Sequence, residues 1–284
     1  MISSSFDYSR ATSLDDAIKR LSASGGAAKL VAGGHSLVPL MKLRLSEPQA
    51  LIDIARIRSL SSIREHEGKI EIGATALHHA VATSALLRSQ CPGVADAAGE
   101  IGDPQVRNRG TLGGSLAHAD PAADYPAVML AVDAEIHLKG PNGWRMVRAD
   151  GFFQDLFTVD LAPDEIIARV QFAPAPVSAY AKLRQRASHY AIVGVAAALQ
   201  VSGGTIQSAR LGLTGAGAHA IRLPHVERAL AGQPLTQAVI ESASGHAGED
   251  IIELNADIHA SEAYRRAMIP VFTRRALEGA MRRA

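Results

Sequence analysis

Two short stretches hold residues whose types and spacing fit the grip of a phosphorylated ligand. In residues 29–45, KLVAGGHSLVPLMKLRL, a glycine pair is followed two positions on by a hydroxyl: Gly33, Gly34, His35, Ser36. In residues 101–134, IGDPQVRNRGTLGGSLAHADPAADYPAVMLAVDA, Gly110, Thr111 and Leu112 lead into Gly113, Gly114 and Ser115. A glycine pair lets backbone approach a ligand closely and present successive N–H groups, and Ser or Thr adds a donor without bulk. One pair alone reads as an ordinary turn. Two, bracketed by small hydroxyl residues, suit the two phosphates of a pyrophosphate. Downstream, HADPAADYP supplies Asp120 and Asp124, carboxylates able to accept from ribose hydroxyls or ring N–H groups.

Such loops must be delivered by regular elements. Ser13-Leu-Asp-Asp16 is a capping signature for a helix with Leu14, Ala17, Ile18 and Leu21 at helical spacing, stopped by Gly25-Gly26. A strand at 29–32 then feeds the first glycine loop into a helix at 37–45, whose first N–H groups also face an anion. Strands are expected at 51–54 and 69–73, helical segments at 77–89 and 93–101, and, after the second glycine loop, a helix at 122–131. A hairpin joins 135–138 to 144–147 around Pro141-Asn142-Gly143, and a strand follows at 164–172. Pro174 and Pro176 mark a domain boundary, since X-Pro favours extended backbone. Beyond it, 180–190, 191–201 and 205–213 read as antiparallel strands, and 224–231, 235–244 and 261–283 as helices.

The composition narrows the function classes. With 284 residues, 47% hydrophobic and 20% charged, the chain can bury a substantial core and is long enough for two or three domains or subdomains. Lys plus Arg (29) nearly balances Asp plus Glu (28), so nothing points to nucleic acid or an anionic membrane surface. The start, MISSSFDYSR, lacks a secretory pattern and no window approaches a membrane span, so a cytoplasmic location is expected. The single cysteine, Cys91, excludes an internal disulfide and a Cys-ligated iron–sulfur cluster built from this chain alone; it reads as a buried small residue. His78 and His79 are adjacent rather than spaced for one helix face, so they read as a helix start, not metal ligands.

The strings AGGHSLVPLMKLRL and DPQVRNRGTLGGSLAHADPAADYP closely resemble the FAD-binding medium subunit of molybdenum hydroxylases, of the carbon monoxide dehydrogenase and xanthine dehydrogenase type. The similarity is collinear over the chain, with a weaker third motif near Tyr190. Where the family usually has Thr-Ile-Gly-Gly-Asn, this chain has Thr111, Leu112, Gly113, Gly114 and Ser115. The resemblance implies an α+β protein: a two-part FAD-binding domain of the PCMH type over 1–176, with subdomains of about 1–55 and 56–176, then a C-terminal domain over 177–284 with a small antiparallel sheet and helices. It implies non-covalent FAD held by Ala32, Gly33, Gly34, His35, Ser36 and Leu37 and by Gly110, Thr111, Leu112, Gly113, Gly114 and Ser115. Asp124 contacts it beyond the second loop, and Lys182 and Tyr190 approach from the C-terminal domain. No residue here is catalytic and none binds metal. Iron–sulfur clusters sit on a small partner subunit and the molybdenum cofactor on a large one, in a dimer of heterotrimers, with electrons passing through FAD to an external acceptor.

Three other readings stay open on sequence alone. Gly33-Gly34-His35 is similar to the loop by which some stand-alone flavin oxidases of the same broad fold attach FAD covalently through histidine. Gly215, Gly217 and Ala220 fit G-x-G-x-x-A after a strand, as in a Rossmann unit, although Pro224 interrupts the helix that should follow. A scaffold that has lost its cofactor is the third, against which both glycine motifs are intact.

Overall fold

The computed structural model describes residues 2–251 and 253–284. The chain begins with β1 (Asp7–Arg10), α1 (Leu14–Ala23), β2 (Ala28–Val31), α2 (Leu37–Lys42) and β3 (Ala50–Asp53). The strands form a parallel sheet in the order β1-β3-β2. Ser13 starts α1 by accepting from the Asp16 N–H at 3.1 Å. The helix lays Ala17, Ile18 and Leu21 onto a core with Ile52 and Ile54, to which Ile166 and Ala168 of a later strand are added. The strand–loop–helix order expected around the first glycine pair is present, with α2 ending at Lys42 rather than at 45.

The second layer contains β4 (Ile63–His66), β5 (Lys69–Gly73), α3 (His78–Thr83), α4 (Ala85–Gln90), α5 (Pro92–Glu100), α6 (Pro104–Arg107), α7 (Leu112–His118) and α8 (Asp124–Ala131). It continues with β6 (Glu135–Gly140), β7 (Gly143–Arg148), α9 (Ala149–Phe152), the small hairpin β8 (Phe153–Asp155) and β9 (Thr158–Val159), and β10 (Ile166–Phe172). Its antiparallel sheet runs β4-β5-β10-β6-β7. The largest apolar core gathers Ile70, Ile72, Ile136, Leu138 and Val170 from this sheet with Leu112, Leu116 and Met129 from α7 and α8.

Two expectations change here. Residues 77–89 are not one helix: Ser84, at φ −62° and ψ 120°, ends α3 and caps α4, accepting from the Leu87 N–H at 3.3 Å. The second glycine stretch, 111–115, is not a loop. Thr111 is an N-cap whose hydroxyl accepts from the Gly114 N–H at 3.2 Å, and Gly113, Gly114 and Ser115 form the first turns of α7. A Thr followed by a short apolar run can open a helix as readily as a glycine pair can break one, and packing against Ala74 decides for the helix.

The remaining chain forms β11 (Ser178–Arg184), β12 (Ala191–Ser202), β13 (Thr205–Thr214) and β14 (Ile221–Arg222), antiparallel in that order, with α10 (Pro224–Leu230), α11 (Gln237–Ser244) and the long α12 (Glu262–Met281). Val193, Val195, Leu211 and Leu213 face Ile269, Phe272 and Leu277 of α12 in a separate core. This arrangement excludes the Rossmann reading at 215–220. The strand before Gly215 belongs to an antiparallel sheet, and the chain after it returns as β14 instead of entering a helix. Gly215, at φ +83°, serves that turn, where a side chain would strike the Ala191 carbonyl. Residues 121–123 are clamped by this domain: Thr214 donates its hydroxyl to the carbonyls of Pro121 at 2.9 Å and Ala123 at 2.7 Å. The Gly215 and Ala191 N–H groups add bonds to Pro121 and Ala122.

Candidate functional site

The two glycine motifs meet. Gly33 lies against the Arg109–Gly110 peptide so closely that a Cβ on it would overlap the Arg109 carbonyl oxygen and stand 2.8 Å from Gly110 Cα. Gly110 in turn abuts the His78 imidazole, and Gly113 abuts Ala74, so neither tolerates a side chain. An isolated bridge between Leu77 and Thr111, with His78 N–H donating to the Gly110 carbonyl at 3.0 Å, fixes this junction. The glycines thus permit backbone-to-backbone contact between the parallel-sheet layer and the second layer.

A cleft of about 790 Å³ opens at this junction, toward the upper end of the roughly 300–1,000 Å³ of small-molecule sites. Ala32, Gly33, Gly34, His35, Ser36 and Leu37 line it, as do Gly110, Thr111, Gly113, Gly114 and Ser115, together with Asp120, Asp124 and Tyr190. Leu112 and Lys182 lie outside this lining: Leu112 is fully buried in the core beneath α7, and the Lys182 side chain is sealed from solvent.

The motifs differ in the donors they leave free. Among the described residues, the amide N–H groups of Gly33, Gly34, His35, Ser36 and Leu37 have no protein acceptor. Gly34 is held at φ +72°, which turns successive N–H groups to one side. In the second motif the Leu112 and Gly113 N–H groups are spent on the carbonyls of Ala76 and Ala74, and Gly114's on Thr111. The first motif is therefore an open anion nest, and the second is a rigid wall that carries the Ser115 hydroxyl. The cleft fits a pyrophosphate at residues 33–37, because an anion there would meet a run of backbone donors that the protein leaves without acceptors.

The C-terminal domain lines the cleft at Ser188, His189 and Tyr190 and also grips Asp124 of α8, which is 4% exposed. Tyr180 donates its hydroxyl to Asp124 Oδ1 at 2.5 Å, and Lys182 Nζ lies 2.9 Å from the same oxygen. Burial pushes the Asp124 carboxyl upward while the Lys182 ammonium and the Tyr180 hydroxyl pull it back. Gly194 makes room for that hydroxyl, since a Cβ there would overlap it. Tyr190 stands at the rim, 44% exposed. His35 is exposed, and its Nδ1 lies 3.1 Å from the Gly33 carbonyl.

Several lining residues carry little sequence signal. His78, read only as a helix start, is 5% exposed, with Nδ1 3.2 Å from the Tyr125 hydroxyl. Burial, followed by the charges of His35 and Arg107, holds its imidazole down at about 4. Its place behind Gly110 follows from the Leu77–Thr111 bridge, a contact that local sequence does not encode. Phe157, at φ +52° and half-exposed on the β8–β9 turn, lines the mouth with its ring centroid 5.1 Å from that of His118. No local pattern marks it. Cys91 is fully buried, its thiol pushed up to about 11 by burial, as suits an unreactive core residue. Among the described residues no cluster of metal-ligating side chains occurs, and no helix is long and apolar enough to cross a membrane.

Comparison with known proteins places the chain among relatives of matching length. Residues 4–175 match the profile of the FAD binding domain in molybdopterin dehydrogenase, and residues 178–280 that of the CO dehydrogenase flavoprotein C-terminal domain. The chain is 38% identical to the carbon monoxide dehydrogenase medium chain of Hydrogenophaga pseudoflava, covering 100% of this chain and 99% of that one. It is 33% identical to the nicotine 6-hydroxylase medium subunit of Paenarthrobacter nicotinovorans, over 95% of each. Among solved structures, quinoline 2-oxidoreductase from Pseudomonas putida 86 superposes with a TM-score of 0.92 at 31% identity, over 99% of both chains.

Proposed function

The chain belongs to the FAD-binding medium-subunit family of the molybdenum hydroxylases, and from that premise we propose how its residues hold the flavin and which partners it serves. FAD supplies the redox chemistry, taking up electrons that originate at metal centres on other subunits and releasing them to an external acceptor. The residues of this chain bind, orient and shield it.

In this reading the N–H groups of residues 33–37 receive the pyrophosphate. Ala32, Gly110, Thr111, Gly113, Gly114 and Ser115 wall it in, and Leu112 fills the core behind that wall. Asp124 faces the cofactor with its charge fixed by Lys182 and Tyr180, and Tyr190 covers the exposed end. His35 acts as a neighbour of the flavin and forms no bond to it. The observation that carries the reading is the run of acceptor-free amides at residues 33–37, pressed against the Gly110 turn in a cleft of cofactor size. The functional boundary between the flavin domain and the C-terminal domain is set at residues 176–177.

The partners in this reading are an iron–sulfur small subunit and a molybdenum-bearing large subunit, assembled as a dimer of heterotrimers in the cytoplasm. The medium chains it resembles serve enzymes named for carbon monoxide, nicotine and quinoline, so substrate choice belongs to the large subunit. A titration with FAD and FMN tests the flavin assignment. FAD, with its second phosphate, is expected to bind at least about tenfold more tightly, the factor that 1.4 kcal/mol supplies. Equal affinities would remove the pyrophosphate from the nest, and binding of neither flavin would favour the cofactor-free scaffold.

A further inference from the structure

Lys182 has no hydrogen left for a cofactor. Its ammonium carries three protons, and the structure gives it three partners: the Glu100 carbonyl at 2.7 Å, the His189 carbonyl at 2.7 Å, and the Asp124 carboxylate at 2.9 and 3.1 Å from its two oxygens. The side chain is completely enclosed. A lysine held this way joins pieces of protein.

The pieces it joins are the cover of the cleft. Residues 185–190 form a compact turn: Gln185 N–H donates to the Tyr190 carbonyl at 2.8 Å, and the Gln185 side-chain oxygen accepts from the Ala187 N–H at 2.6 Å. His189 sits at φ +61°, in the left-handed region that residues other than glycine adopt infrequently. The turn is pinned at both sides of that residue, by Lys182 on its carbonyl and by its own Nδ1, 3.1 Å from the Gly102 carbonyl. Glu100 ends α5 and Gly102 lies just beyond it, so two bonds fasten the turn to one short segment. Ile101, Gly102, His189 and Tyr190 all line the cleft.

We propose that Lys182 is a positioning residue, a buried latch that fastens the 185–190 turn to the end of α5 and thereby holds Tyr190 over the cleft. This rests on the FAD reading of the cleft only for its effect on cofactor release; the latch itself is a property of the protein. Removing the ammonium orphans the His189 and Glu100 carbonyls and takes from buried Asp124 its counter-ion, so the turn, with His189 at positive φ, should open first.

The test uses the full chain with Lys182→Met, the charge-balanced pair Lys182→Met with Asp124→Asn in case the single change does not fold, Tyr190→Leu, and Lys182→Met combined with Tyr190→Leu. Amide exchange is followed without flavin, and release of bound FAD is timed separately. Loss of the latch is expected to speed exchange at 185–190 while β12 and β13 stay protected, and to speed FAD release at least about tenfold. The combined variant should release FAD no faster than Lys182→Met alone, because both changes remove the same cover. Unchanged exchange at 185–190, or additive effects of the two changes on release, overturns the proposal. Failure of the unaltered chain to bind FAD would sink the flavin reading and leave the exchange result to decide the latch.

Discussion

His78 gives the sharpest quantitative prediction, because its acid response can be worked from its surroundings. The imidazole is 5% exposed, wedged between Gly110 and Tyr125, and burial together with the charges of His35 and Arg107 lowers it from 6.5 to about 4. The neutral form is the one that fits. In the unfolded chain protonation sets in near the ordinary value, so the contribution is fully present above 6.5 and is lost as pH falls toward 4. The difference in affinity for the proton amounts to about 3 kcal/mol in the limit. Between about pH 7.5 and about pH 5, before the folded form itself takes up much proton, the loss is about 2 kcal/mol. For a chain of 284 residues this lowers the melting temperature by roughly 3 °C. The assay is thermal or urea unfolding of the unaltered protein and of His78→Gln, each across that pH range, so that every other acid-sensitive group cancels in the difference. The unaltered protein should lose about 2 kcal/mol more than the variant. Parallel curves, or an imidazole that titrates near 6.5 by NMR, would refute the argument that burial keeps His78 neutral.

Replacing Gly33 by Ala drives a methyl into the Arg109–Gly110 backbone; it should cost about 1–3 kcal/mol of stability by overpacking and abolish detectable FAD binding, whereas Gly217→Ala, whose new Cβ meets nothing nearer than 3.5 Å, should do neither. A flavin titration that ranks the two the other way removes the nucleotide from the N-terminal cleft. Acid precipitation of the flavin-loaded protein should give a colourless pellet if, as proposed, His35 holds FAD by contact only, and His35→Ala should weaken binding without changing that outcome; a yellow pellet that becomes colourless in His35→Ala would establish a covalent link.

The sequence made the strand–turn–helix order of the first glycine motif legible, though not the end of its helix, because the three are consecutive and each carries a local signal. The antiparallel C-terminal sheet was readable in part, from its apolar runs and the Gly203-Gly204 turn, but the strand expected over 180–190 ends at Arg184, with 185–190 forming a turn, and the short β14 carried no signal. The parallel pairing of β1 with β3 was not, since it joins residues more than forty apart and DYSR has no strand pattern strong enough to stand alone. The second glycine motif was found but misjudged in form: Gly113 serves a helix pressed on Ala74, and what a glycine faces is decided by whichever segment packs there. Lys182 was marked by family resemblance as a cofactor neighbour, yet two of its three partners are backbone carbonyls that any residue type would present, and the third, Asp124, is 58 residues away in the chain. His78 and Phe157 show the same limit, their positions set by a bridge and by a strained turn.

The clamp that Thr214, Gly215 and Ala191 place on residues 121–123 bears on how such a molecule can be divided. The glycine motifs all precede residue 116, and a fragment ending at 176 would carry every one of them. It would lack the hydroxyl and amides that hold the chain just ahead of Asp124, and it would lack Tyr180 and Lys182, which fix that carboxylate. The cleft is thus jointly owned: the final hundred residues line it at Ser188, His189 and Tyr190 and also hold the groups behind it. Splitting the gene at the domain border should yield two halves that each fold around their own core and recover the cofactor only on reassembly, so that cofactor retention would report on docking between the halves more sensitively than secondary structure could.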